Sequence, residues 1–305
     1  MDPVAKEYLK AWVSAMRLRT LPLSVSGIII GACLAHYNGF FKWNIFLLAI
    51  CTAIGLQILS NLANDYGDGL KGTDNQDRIG PERALQSGII SPAQMYNGIK
   101  INIVIVIFFA FILILKAFGL NNFIYSLIFF VLGGLSIVAA IRYTVGDSAY
   151  GYKGMGDLFV FIFFGFVSVF GSYFLFAKQL DHVLFLPAIS IGFLSMAVLN
   201  LNNMRDIESD RKANKITLAV RLGFKNAKKY HNILIISTLF ISLIFIILYY
   251  NSPFNLIFIL SFIPLIFHLV TINKNKRPEL LDSQLKILAL SSFIFSILLG
   301  VGQIL

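Results

Sequence analysis

Asn61-Leu62-Ala63-Asn64-Asp65-Tyr66-Gly67-Asp68 closes an apolar run over about 45–63. Asn202-Asn203-Met204-Arg205-Asp206-Ile207-Glu208-Ser209-Asp210 closes another over about 183–201. Each run has roughly the twenty apolar residues that cross a bilayer as a helix. Further runs lie at about 21–37, 99–117, 123–141, 157–177, 232–250, 254–272 and 286–304, so nine spans are expected. They are too long for barrel strands and do not alternate, which makes an all-α polytopic membrane bundle the expected fold class. Carboxylates at the ends of membrane helices are costly to place and usually mark a function.

Composition agrees. The chain of 305 residues is 57% hydrophobic and 13% charged, against about 25% charged in a soluble domain. One integral-membrane unit over 1–305 is expected, with no separate soluble domain. Met1 to Thr20 carries Lys6, Lys10, Arg17 and Arg19 without an apolar core, so no cleavable leader is expected. Cys33 and Cys51 fall inside spans and imply no structural disulfide. His36, His182, His231 and His268 are scattered without zinc-ligand spacing.

The basic residues set the orientation. Of 25 lysines and arginines, all but Lys42, Lys116 and Lys178 fall in the N-terminal segment and in every second loop after it. That imbalance predicts a cytoplasmic N-terminus, cytoplasmic long loops (about 64–98, 142–156, 202–231 and 273–285) and a C-terminus outside. The net charge of +10 then belongs to the cytoplasmic rim and anionic lipid headgroups. A nucleic-acid partner is not expected, because the basic residues are spread along loops. Ser91-Pro92-Ala93-Gln94 has the form of a capped helix start. Thr217 to Arg221 reads as a short interfacial helix stopped by Gly223. Asn61-Leu62-Ala63-Asn64 is echoed by Asn200-Leu201-Asn202-Asn203, as duplicated halves facing a central cavity would be; chance likeness of Asn-rich helix ends is the alternative.

Asp65 and Asp68 are three apart and Asp206 and Asp210 four apart, spacings that put each pair on one helix face. Two carboxylates about 6 Å apart repel by about 2–3 kcal/mol at an effective dielectric near 20. A bound cation reverses that sign. Magnesium suits best, since it keeps waters and is held by one or two carboxylates plus substrate phosphates. With Asp74 the acids number five; a diphosphate ester adds about three negative charges, and two magnesium ions supply about four positive ones. The remainder calls for basic side chains, and Lys71, Arg78, Lys153, Arg211 and Lys215 lie in the loops beside the aspartates. The plainer alternative is a solvated loop of weak surface pairs.

Asn64 and Asn203 precede aspartates of the two clusters, where their amides orient a carboxylate, bind a second substrate or simply cap. The loop from Arg142 to Asp157 offers glycines for close approach to an anion, Lys153 as a point charge, and Tyr143 and Tyr150 as rings that attract a cation. An interfacial aromatic belt is the alternative there. Arg17 and Arg19 either anchor the first span at the headgroups or hold an acidic aromatic substrate at the cavity mouth.

With both aspartate motifs assembled, the chain resembles the UbiA-type intramembrane prenyltransferases over nearly its whole length. The likeness is carried by Asn61 to Asp74, by Asp77 to Gly88, and by Asn202 to Gly223; the run from Arg78 to Gly88 resembles the family's 1,4-dihydroxy-2-naphthoate branch. One departure is Gly72, which stands where the broader family has a third aspartate, with Asp74 two residues later. The resemblance implies a nine-helix bundle around a cavity open sideways to lipid. It implies that Asp65, Asp68, Asp206 and Asp210 hold two Mg2+ ions with a polyprenyl diphosphate. Arg78, Lys153 and Lys215 would contact the diphosphate, and Tyr143 and Tyr150 would shield an allylic cation. The ring of 1,4-dihydroxy-2-naphthoate would attack that cation and then lose carbon dioxide. Another acceptor, such as 4-hydroxybenzoate, is the nearest alternative. A transporter or flippase is the reading from another class, but it would need charges part-way down several spans, and the charges here stop at one end.

Overall fold

The structure, a computed structural model, describes residues 2–74, 80 and 82–305. It is helical, with no strand among the described residues. Nine helical stretches among these residues are long and apolar enough to cross a membrane, and the protein is a multi-pass membrane protein. The spans match the nine apolar runs, and several run on past the ends that hydropathy alone suggests.

The first span begins at Leu21, as expected, and is preceded by a separate helix. An amphipathic helix α1 (Pro3–Met16), its N-cap Asp2 accepting from the Val4 amide, turns through Arg17 in the left-handed region and a short 3-10 turn into α2 (Leu21–Tyr37). Helix α3 (Trp43–Leu70) runs seven residues past the expected end of its apolar stretch. Asp65 and Asp68 therefore stand on a helix, not in a loop. Helix α4 (Pro92–Phe118) starts at the expected capping box, with Ser91 Oγ accepting from the Gln94 amide and the Gln94 side chain accepting from the Ser91 amide. Helix α5 (Phe123–Arg142) has only Ala139 fully buried, so most of its surface faces lipid or the cavity.

The fifth span is built from α6 (Gly156–Val160), a π-helical stretch over 161–167 and α7 (Ser168–Ala177). Helix α8 (Phe185–Arg205) is followed, across Asp206, by the short α9 (Ile207–Lys212). Helix α10 (Leu218–Leu248) is broken at Gly223, whose φ of +70° provides the stop read from the sequence. A 3-10 stretch over 253–261 leads into α11 (Phe262–Lys274), and α12 (Asp282–Ile304) ends the bundle.

Helix α2 packs against α12, α7 and α3; α8 packs against α10 and the π-helical stretch. Small residues make the closest approaches possible. A Cβ added at Gly31 would lie 2.7 Å from the Val169 carbonyl oxygen, and one at Gly165 would lie 2.7 Å from that of Ala188. Inside a bilayer, such van der Waals packing and interhelical hydrogen bonds replace the hydrophobic drive between helices. Large apolar side chains turn outward instead, Phe108 and Phe111 on α4 and Phe267 on α11 among them. Two of the scattered histidines meet in the core: His231 and His268 share a hydrogen bond of 2.8 Å, and His268 Nδ1 bonds Gln284 at 2.9 Å.

Candidate active site

A cavity opens between α2, α3, α4, α5, the fifth span, α8 and α12. Its deep arm is apolar, lined by Ile28, Ala49, Leu113, Phe129, Phe163 and Leu175 among others. Its other end is charged, because α3 and α8–α9 bring their acidic ends there.

Asp68 sits on the last turns of α3, where Tyr152 donates to its Oδ1 at 2.7 Å and Lys215 to its Oδ2 at 3.0 Å. Thr73 in turn bonds the Tyr152 hydroxyl at 2.6 Å. Lys215 also lies 3.8 Å from Asp210. One ammonium thus spans the two motifs, which are 142 residues apart in sequence between Asp68 and Asp210. Burial alone would depress the Lys215 pKa, but Asp68 and Asp210 outweigh it and hold it above the usual lysine value. The Lys215 backbone is fixed by its amide bond to the Asp210 carbonyl at 2.8 Å, and the next amide, of Ile216, bonds the Tyr152 carbonyl at 3.1 Å.

Asp65, fully buried, is paired with Arg17 and lies 3.5 Å from Arg83 Nε, which also faces Asp74 at 3.9 Å. Its Oδ2 is buried with no hydrogen-bond partner among the described residues. A buried carboxylate oxygen left bare is costly unless a cation or donor meets it. Close packing fixes the helix here: Thr144 Oγ1 donates to the Ala63 carbonyl at 3.0 Å, and a Cβ on Gly67 would lie 2.8 Å from the Thr144 backbone.

Across the cavity, Arg205 is fully buried and grips Asp206 with two hydrogen bonds, Nε to Oδ1 at 2.7 Å and Nη2 to Oδ2 at 2.6 Å. Nη2 also donates to Asn202 at 3.0 Å, and Nη1 to Asp282, the first residue of α12, at 2.5 Å. Asp282 lies 3.4 Å from Arg19.

Of the residues singled out in the sequence, Arg17, Arg19, Asn64, Asp68, Asp74, Tyr143, Tyr150, Asn203, Asp206, Asp210 and Lys215 all line this cavity, and Asp65 lies buried against Arg17 at its edge. Tyr143 meets Tyr150 edge-on at 5.3 Å, and Tyr150 stacks on Phe159 at 3.9 Å. Burial pushes both phenol pKa values up, so they stay protonated. Three candidates are not brought in. Lys153 is exposed, Arg211 is exposed and paired with Glu208 at 3.4 Å, and Lys71 donates to the Gly146 carbonyl at 2.9 Å with its ammonium over the Tyr152 ring. Arg78 lies outside the described residues.

Sequence reasoning overlooked Tyr152, Thr73, Arg83, Arg205 and Asp282 as site residues. All but Asp282 stood inside the quoted stretches, and Arg205 and Thr73 each adjoin an aspartate, so adjacency was an available signal for those two. Asp282 had none, being a lone acid at the start of the last helix.

The donor set suits magnesium. Among the described residues no three acidic, histidine or cysteine side chains converge on one point, so a complete protein cage of the zinc or calcium kind is absent there. Paired carboxylates with an unsatisfied buried oxygen, beside cations able to meet phosphate, are what an ion keeping water and phosphate ligands requires.

The UbiA prenyltransferase family model matches residues 24–297. The chain is 46% identical over 253 residues to the 1,4-dihydroxy-2-naphthoate octaprenyltransferase of Escherichia coli (83% of this chain, 81% of that protein). It is 39% identical over 301 residues to the protein of the same name from Haemophilus influenzae (98% and 97%). Among solved structures, a UbiA homologue from Aeropyrum pernix matches with a TM-score of 0.69 at 16% identity (92% and 96% of the two chains). A UbiA homologue from Archaeoglobus fulgidus, solved with GPP and Mg2+, matches with a TM-score of 0.61 at 15% identity (95% and 99%). Motifs, fold and these likenesses agree: the chain belongs to the UbiA prenyltransferase family.

Proposed function

We propose that the protein is a magnesium-dependent prenyltransferase that moves a polyprenyl group from polyprenyl diphosphate to 1,4-dihydroxy-2-naphthoate, releasing diphosphate and carbon dioxide and forming demethylmenaquinol. The observation that carries the reading is Lys215, which holds Asp68 of one motif and Asp210 of the other at the charged end of an otherwise apolar cavity. The activity named for the Escherichia coli and Haemophilus influenzae relatives supports the acceptor.

Asp65, Asp68, Asp206 and Asp210 would hold the magnesium. Among the described residues, ion pairs at the site join these four carboxylates, Asp74 and Asp282 to Arg17, Arg19, Arg83, Arg205 and Lys215. A diphosphate ester would add about three negative charges, and two magnesium ions would supply about four positive ones. Bound magnesium supplies charge neutralisation of the departing diphosphate.

The protein's own groups do the rest. Lys215 and Arg83 are assigned as charge-assisted donors to diphosphate oxygens. Lys215 is assigned the diphosphate contact that the sequence expects of it, and Lys153, expected beside it, is left out because it is exposed and outside the cavity. The bond from prenyl C1 to oxygen breaks, its electron pair leaving on diphosphate. Tyr143 and Tyr150 turn rings toward the allylic cation. The naphthoate ring forms the new bond to C1, and loss of carbon dioxide returns the C–C pair to the ring. The apolar arm shelters the isoprenoid and excludes water from the cation.

We assign the whole chain, 1–305, as one integral-membrane unit in the cytoplasmic membrane. Its N-terminus and charged cavity end face the cytoplasm and its C-terminus faces outside, supported by the distribution of basic residues. The test is transfer by purified protein, with magnesium and with a chelator. Magnesium-dependent prenylated naphthoquinol and released carbon dioxide are expected. Product from 4-hydroxybenzoate alone would replace the acceptor, and no product from folded protein would overturn the reading.

A further inference from the structure

Asp206 is assigned to a metal, yet Arg205 occupies both of its oxygens. Each oxygen keeps a second lone pair, but a metal ion there meets the Arg205 charge, so binding draws Asp206 away from Arg205. Arg205 is fully buried, and a buried guanidinium stripped of its counter-ion is strongly unfavourable. That shift is favoured when a second carboxylate stays on Arg205. Asp282 is that carboxylate: it accepts from Nη1 at 2.5 Å, on the side of the guanidinium turned away from Asp206.

Asp282 is itself shared. Arg19 Nη1 lies 3.5 Å from the same Oδ1 and 3.4 Å from Oδ2, looser contacts than the one from Arg205. Arg19 lines the cavity and its side chain is partly exposed, so it can turn to an incoming anion. Its departure leaves Asp282 wholly to Arg205.

We propose that Arg19–Asp282–Arg205–Asp206 is an ionic relay in which Asp282 is a positioning residue. By retaining Arg205, it lets Asp206 pass from an arginine to a metal ion when an anionic substrate enters and draws off Arg19. The last helix, far from both aspartate motifs in sequence, thereby sets the metal affinity of the second motif. The inference rests on the metal role given to Asp206 above.

The experiment compares wild type, Asp282→Asn, Asp282→Glu, Arg205→Met and the Arg205→Met/Asp282→Asn double variant, each checked for folding by its thermal transition. Two quantities are read: the magnesium concentration for half-maximal transfer, and Mn2+ binding by electron paramagnetic resonance with inorganic diphosphate and no turnover. Loss of a group that orients a metal ligand typically weakens binding by about 10–100-fold. Asp282→Asn should raise both concentrations by about that factor, with a smaller fall in kcat. Asp282→Glu should restore both. In the Arg205→Met background Asp282→Asn should add no further shift, because the effect passes through Arg205.

A magnesium requirement unchanged in Asp282→Asn overturns the relay, as does a loss confined to kcat. An equal shift in the Arg205→Met background also overturns it, since that is plain through-space attraction. Should Asp282→Asn not fold, Asp282→Glu, which keeps the charge and lengthens the arm, decides by the same readings. If wild type transfers nothing and binds no Mn2+, the proposed function has failed, which is a different outcome from a relay that fails in a magnesium-dependent enzyme.

Discussion

Asp65 and Asp206 carry different local burdens, and both are expected to be needed for turnover. Asp65→Asn and Asp206→Asn preserve shape and remove charge, so each should abolish prenyl transfer while the protein still folds and inserts. Near-normal product formation in both, by chromatography of the quinol, would end the metal assignment. Lys215 is the second prediction at this scale. It is the shared counter-ion of Asp68 and Asp210, so Lys215→Met should lower stability by about 3–5 kcal/mol, the usual cost of orphaning a buried charge. It should also weaken prenyl diphosphate binding. Lys153→Ala, at an exposed position outside the cavity, should leave that affinity close to wild type. Titration with labelled diphosphate substrate ranks the two, and the reverse order would return the contact to Lys153. Residue types and spacing pointed to the four aspartates. They did not separate Lys215 from Lys153, because both are loop lysines close to an aspartate in sequence, and only the backbone bonds of Lys215 and Ile216 aim the former inward.

Helices α2 and α7 come close enough that side-chain volume controls their separation. Gly31 faces the Val169 carbonyl and the Tyr173 amide, and Gly27 faces Ser168. Gly31→Leu should push the two helices apart and lower stability by about 1–3 kcal/mol, the usual penalty of overpacking. A thermal melt in detergent checks it; an unchanged midpoint would mean that the approach is not tight. Other element boundaries were readable locally, as with the capping box at Ser91 and the stop at Gly223. The C-terminal extension of α3 was not, since its last turns carry polar residues that hydropathy counts as loop. Those turns are helical because Thr144 and Lys215 meet their polar groups. The amphipathic α1 escaped notice for a similar reason, being too polar for a span.

The bundle as a whole has most of its charges at one end and its bare apolar surface around the middle. Reporter fusions should therefore find the N-terminus and the loop between α3 and α4 in the cytoplasm and the C-terminus outside; a cytoplasmic C-terminus would mean an even number of crossings. Span number and the spacing of Asp65 and Asp68 on one helix were determined by the sequence alone, and the proposed orientation rests on it alone, because each depends on local quantities: run length, the periodicity of a helix, and the side on which lysine and arginine accumulate. Tertiary structure alone decided that Asp68 and Asp210 share one ammonium, that Arg205 holds Asp206, and that Asp282 from the last helix holds Arg205. The physical reason is range. Hydropathy and helical periodicity are properties of neighbouring residues, whereas pairing between buried charges depends on which helix ends the packing of the bundle brings within hydrogen-bond distance.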